Sequence, residues 1–152
     1  MMLAYRLVRL IETHSEALAS GLLKKLEACD QCKSFTRTPQ EEYKQRVTEI
    51  YQHLGEWLLG KSDQEIEGRY REIGQRRAHQ GVPLSQLIWA IALVKENLVE
   101  FLQRESAELN PAEVRGELEL MQLLEQFFDR AIYYAALGHE QACVARKAAA
   151  GY

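Results

Sequence analysis

Residues Leu87–Val94, LIWAIALV, place eight apolar side chains in a row. They sit inside a longer stretch, Tyr70–Phe101, that also holds the end of a polar helix and a Gly81-Val82-Pro83 corner. A surface helix carries one apolar stripe, so a helix that is apolar nearly all round predicts burial on two sides. The rest of the chain must then supply helices that pack around it.

Those helices can be read from apolar spacing and terminal signals. Leu7, Leu10, Ile11, Leu18, Leu22 and Leu26 recur at three- and four-residue intervals and predict a first helix from about Leu3 to Ala28, with His14 on the same stripe. Cys29–Arg37 breaks the pattern and reads as a loop. Thr38-Pro39-Gln40-Glu41 offers a capping box with proline at the first helical position. It opens a second helix whose stripe is Tyr43, Val47, Ile50, Leu54 and Trp57 or Leu58, with Gly60 as its stop. Ser62-Asp63-Gln64-Glu65 is another capping box. The third helix has a thin stripe (Ile66, Tyr70, Ile73) and three acid-to-base pairs four apart, Glu65–Arg69, Glu67–Arg71 and Glu72–Arg76, so it reads as the most solvated helix. Pro83 starts the fourth helix, which continues through Leu102. Asn110-Pro111 starts the fifth, with Val114, Leu118, Met121, Leu124, Phe128, Ile132 and Ala135 on one side, widened by Leu120, Leu123, Phe127 and Tyr134. No strand pattern is present. The expected fold is all-α, with about five helices in a globin-like or helical-bundle arrangement. Residues 1–140 would form a single domain and 141–152 an Ala-rich tail or helix extension.

Composition narrows the function. A chain of 152 residues with 47% apolar and 27% charged residues is that of one ordinary soluble domain. Its formal net charge of −3 gives no general attraction to nucleic acid or acidic membranes. No apolar run approaches the roughly 18 residues needed to span a bilayer, so no membrane insertion is expected. The opening MMLAYRLVRLIETHSEAL is interrupted by charges and does not read as a signal peptide, which gives a cytoplasmic expectation.

Residues that could carry chemistry are few. No Glu is followed three residues later by His, as a carboxylate-bridged metal bundle requires. No His-Glu-x-x-His, phosphate-cradling glycine loop or Gly-x-Ser-x-Gly elbow occurs. No catalytic or metal-ligating set is therefore assigned. Cys29 and Cys32 form a lone Cys-x-x-Cys, a candidate redox pair with no second pair to complete a zinc site. His14, His53 and His79 are candidate haem ligands of a helical sensor, with a hydrogen-bonded histidine as the ordinary alternative. His14, Trp57, Trp89, Phe127, Phe128 and Tyr134 would line a ligand pocket if the last two helices left a gap, and otherwise belong to the core.

Two long segments, YREIGQRRAHQGVPLSQLIWAIALVKENL and ELMQLLEQFFDRAIYYA, resemble the RsbRD-type N-terminal domain. That domain is the sensory half of RsbT co-antagonist proteins and of some bacterial histidine kinases. YRLVRLIETHSEALA and TPQEEYKQRV fit it too, so the resemblance covers about residues 3–140. It implies a non-enzymatic, stress-response signal-input domain of globin-like shape that pairs as a homodimer and acts on a signalling partner or a fused STAS or kinase output module. Ending at Tyr152, the chain would be a stand-alone sensor or an excised piece. The family pattern supplies no haem-ligating histidine that maps onto this sequence, so no cofactor is expected.

Overall fold

The computed structural model describes residues 2–32, 40–105 and 111–149. They form six α-helices: α1 (Met2–Thr13), α2 (Ser15–Glu27), α3 (Gln40–Gln52), α4 (Asp63–His79), α5 (Leu84–Glu105) and α6 (Pro111–Ala149). A π-helical turn, Glu56–Gly60, joins α3 to α4. Among the described residues there is no strand, and the chain is an all-α helical bundle. The capping residues Thr38, Pro39 and Asn110 lie outside the described residues.

The helix count exceeds five because the expected first helix is broken at His14. Its backbone leaves the helical region at φ −102°, ψ 20°. Two side chains act on the preceding turn: the Thr13 hydroxyl donates to the carbonyl of Arg9, and His14 Nδ1 lies 2.9 Å from the carbonyl of Leu10. Side chains that bond a carbonyl four residues back compete with the helical ladder and bend it. The helix resumes at once, with Leu18 N–H donating to His14 O at 3.0 Å.

Local signals set the ends of α4. Ser62 Oγ accepts from the Glu65 amide while Glu65 Oε2 accepts from the Ser62 amide, a complete capping box. At the other end the Gly81 amide donates to Ala78 O and the Val82 amide to Arg77 O, both at 3.0 Å, closing a Schellman turn. That turn needs a left-handed residue, and Gly81 supplies it at φ 77°. Pro83 then prevents the helix from continuing.

α4 is not the solvated helix its thin stripe predicts. It runs parallel to α6, as Asp63–Arg130 (3.4 Å), Arg71–Gln141 (2.6 Å) and Ala78 O–Arg146 (3.0 Å) mark out. Their backbones touch. A Cβ added to Gly74 would stand 2.0 Å from Ala135 O, and one added to Gly138 would stand 2.2 Å from Arg71 O. Glycine at the crossing leaves no side chain to hold the helices apart, and the buried Ala78, Ala131, Ala135 and Ala142 continue the seam. Of the three pairs expected on α4, Glu67–Arg71 (3.0 Å) and Glu72–Arg76 (2.9 Å) form. Glu65 serves the capping box, and Arg69 reaches Glu49 of α3 at 3.6 Å.

α5 also departs from expectation. Leu87, Ala90, Ile91 and Val94 are buried, while Ile88 and Trp89 are exposed, so the apolar run has one open face. Lys95 pairs with Glu125 of α6 at 2.5 Å. Tyr51, Leu22, Leu98, Leu124 and Phe128 are among the fully buried side chains that join α2, α3, α5 and α6 in one core.

Candidate functional site

α3, α4 and α5 do not close completely on one another. A cavity of about 60 Å³ remains between them, walled by aliphatic side chains such as Val47, Ile73 and Ile91 and by the rings of Tyr43 and Tyr70. Helical spacing puts these residues together. Tyr43, Arg46, Val47 and Ile50 are neighbours on one face of α3, and Tyr70, Ile73 and Arg77 on one face of α4.

Three arginines, Arg46, Arg76 and Arg77, line the same cavity. Arg77 is only 3% exposed, lies over the Tyr43 ring at 5.6 Å, and donates to Gln80 Oε1 at 2.8 Å. Burial first, and then the charge of Arg46, hold its proton less tightly than usual, while Tyr43 and Glu42 oppose that shift. Arg46 Nη2 sits 3.4 Å from Glu42, and Arg76 Nη2 sits 2.9 Å from Glu72. The remaining buried atoms Arg46 Nε and Arg76 Nη1 have no acceptor among the described residues.

Beneath the cavity lies a polar knot. Asn97 Nδ2 donates to Leu18 O at 2.9 Å and to Tyr51 Oη at 3.3 Å, while its Oδ1 accepts from Lys25 Nζ at 2.8 Å. Tyr51 in turn donates to Val94 O at 3.0 Å, and Lys25 also pairs with Glu100. One amide thus ties α2, α3 and α5 with its hydrogen-bonding capacity well used. A buried amide of this kind fixes relative position because its loss strands several partners at once.

The model of the RsbT co-antagonist protein rsbRD N-terminal domain matches residues 15–149. The chain belongs to that family. No curated protein and no solved structure matches it. The rsbRD-type match starts at Ser15, directly after the break at His14, and runs to the end of α6. It therefore includes most of the segment read from sequence as an Ala-rich tail or helix extension, where α6 continues unbroken and Ala142 is buried.

Within this rsbRD-type domain the sequence-predicted residues do not line the cavity. Trp57, Phe127 and Phe128 join Tyr70 in an aromatic cluster with ring centroids 5.2–6.3 Å apart. Tyr134 packs edge-on against exposed Tyr133 at 5.4 Å, and Trp89 is 45% exposed. His14 is exposed beside Phe101, off the buried stripe it was expected to share, and His53 and His79 are exposed as well. Cys29 Sγ donates to Gln31 Oε1 at 3.2 Å. Cys32 is buried, and desolvation first, then the hydrogen bond and charge of Cys29, push its thiol up to about 12, which leaves little thiolate at neutral pH. Among the described residues no group of three metal-ligating side chains occurs.

Sequence reasoning missed the cavity arginines and one histidine. Arg77 lies seven residues after Tyr70, two turns along the same face, but its charge hid it from a search for apolar stripes. His139 is buried with Nε2 2.6 Å from Val82 O, so Nε2 carries the proton, and Cys143 Sγ lies 3.7 Å from Nδ1. It falls four residues after Ala135 and three before Ala142, a spacing visible once α6 is extended past Gly138.

Proposed function

We propose that this chain is a non-enzymatic, cytoplasmic signal-input domain of bacterial stress signalling that works as a homodimer. Its output is a change in helix packing passed to a signalling partner or a fused output module. The family match across residues 15–149 carries the regulatory reading. α6 supports the homodimer. At 39 residues it is about 58 Å long, and it bears Leu118, Tyr133 and Val144 at 62%, 62% and 67% exposure. Large apolar side chains left in water along one long helix are the surface a second helix would cover. Two arrangements of the bundle with different affinity for a partner would be enough to transmit a signal.

Sedimentation equilibrium at micromolar concentration tests the dimer. The expected mass is twice the 17.5 kDa of the chain. Leu118→Glu and Tyr133→Glu should return it to 17.5 kDa with helicity unchanged. A wild-type chain that sediments only as the monomer refutes the dimeric reading.

A further inference from the structure

We propose that the cavity between α3, α4 and α5 is a binding site for a short, uncharged hydrocarbon. The wall sets the chemistry. It is built from the aliphatic carbons of residues such as Val47, Ile91 and Val94 and from the rings of Tyr43 and Tyr70, so nearly all the surface a guest touches is carbon. A water molecule needs about two to four polar partners to stay in such a place, and this wall does not supply them. A polar guest gives up its hydrogen bonds to solvent and gains none in return, which is costly. An apolar guest gives up no hydrogen bond and gains dispersion contacts with the surrounding carbons.

The three arginines belong to this wall through their carbon stems, as long cationic side chains commonly do. Their charged heads are engaged elsewhere. Arg46 meets Glu42 at 3.4 Å, Arg76 meets Glu72 at 2.9 Å, and Arg77 donates to Gln80 at 2.8 Å while lying over the Tyr43 ring. Arg46 Nε and Arg76 Nη1 have no accessible surface, so they offer a guest nothing. The volume sets the size. About 60 Å³ is less than half of the roughly 150 Å³ that admits benzene, which limits the guest to about two to four carbons. Ile50, Ile73, Arg46 and Arg76 keep part of their surface in solvent while the other lining residues are buried, so the entrance lies on their side. A guest fills the space that the side chains leave and adds contacts between α4 and its neighbours α3 and α5. The site depends only on these three helices and goes beyond the input-domain reading; binding can be read whether or not the chain dimerises.

The test is an NMR titration of the full methyl-labelled chain with dissolved propane, following the methyl groups of Val47, Ile91 and Val94. Propane should shift these signals saturably. Ethanol, which replaces one methyl group of propane with a hydroxyl, should bind at least about tenfold more weakly, because a hydroxyl left unpaired against an apolar wall is costly. Benzene should leave the signals in place, being too large for the space. Ala90 lines the cavity, so the added carbons of Ala90→Leu should occupy it and abolish propane binding in a folded protein. Propane that fails to shift the wild-type signals saturably overturns the proposal. So does ethanol or benzene binding as tightly as propane, or undiminished propane binding to a folded Ala90→Leu variant. The wild-type comparison of propane with ethanol and benzene decides the matter even where Ala90→Leu fails to fold.

Discussion

α4 presents two unlike faces. Toward α6 it offers Gly74 and Ala78, and the two backbones meet with no side chain between them. Toward α3 and α5 it offers Tyr70, Ile73, Arg76 and Arg77, and a gap remains. Small residues let two regular cylinders approach along a line, while long side chains in separate rotamers hold neighbours apart and seldom fill the space completely. Tightness and looseness therefore sit on opposite sides of one helix. The tight side holds α4 and α6 together, and the loose side leaves a cavity.

The largest effect should come from attacking the tight side. Gly74→Ala or Gly138→Ala places a methyl group 2.0–2.2 Å from a carbonyl oxygen of the facing helix. Those are main-chain atoms and cannot swing away, so each change should cost about 3 kcal/mol or more in urea unfolding. A loss under about 1 kcal/mol would mean that the two backbones are not in contact.

Alkali should single out the loose side. Tyr43 and Tyr70 line the cavity and Tyr51 lies beneath it; burial raises all three above the ordinary 10.0. The unfolded chain then loses these protons first as pH climbs. Their contribution is fully present below about pH 10 and is lost above it, by about 1.4 kcal/mol per pH unit for each tyrosine. Cys32 adds to the decline from 9.0 upward. Urea midpoints measured between about pH 8 and pH 11 should show this fall. A Tyr43→Phe, Tyr70→Phe variant should flatten it. An unchanged slope would place the titrating groups elsewhere.

The smallest effect is on the same helix and has the opposite sign. Gly68 is exposed, six residues from Gly74, and a Cβ there meets nothing within 4 Å. Gly68→Ala should stabilise the chain by about 0.5–1 kcal/mol, because alanine loses less backbone freedom in a helix. A destabilising Gly68→Ala would show that α4 is packed on a third side.

Much of the fold could be read from the sequence because capping and apolar spacing are local. The Ser62–Glu65 box, the Gly81-Val82-Pro83 corner and the inward set Leu87, Ile91 and Val94 all appear where the chain predicts them. The break at His14 was not legible, since it arises from side chains folding back on a turn whose apolar spacing continues through it. The solvated reading of α4 failed for a related reason: glycine and alanine bury main chain, which no hydrophobic stripe records. The cavity was the least legible part. The spacings offer Trp57, Trp89 and Phe127 for a pocket only if the last two helices leave a gap, but a cavity forms where side chains fail to fill space, and that depends on how three helices sit relative to one another. Its arginines look in sequence like members of the surface pairs Glu42–Arg46 and Glu72–Arg76, and only the fold turns their remaining donors inward.

The crossing of Gly74 and Gly138 bears on how related sequences should be read. Any chain that keeps this contact has to keep hydrogen atoms at both positions, since even one methyl group meets main chain. In a collection of such chains these two columns would vary little, for a reason of packing. Invariance at these two positions would then trace scaffolding.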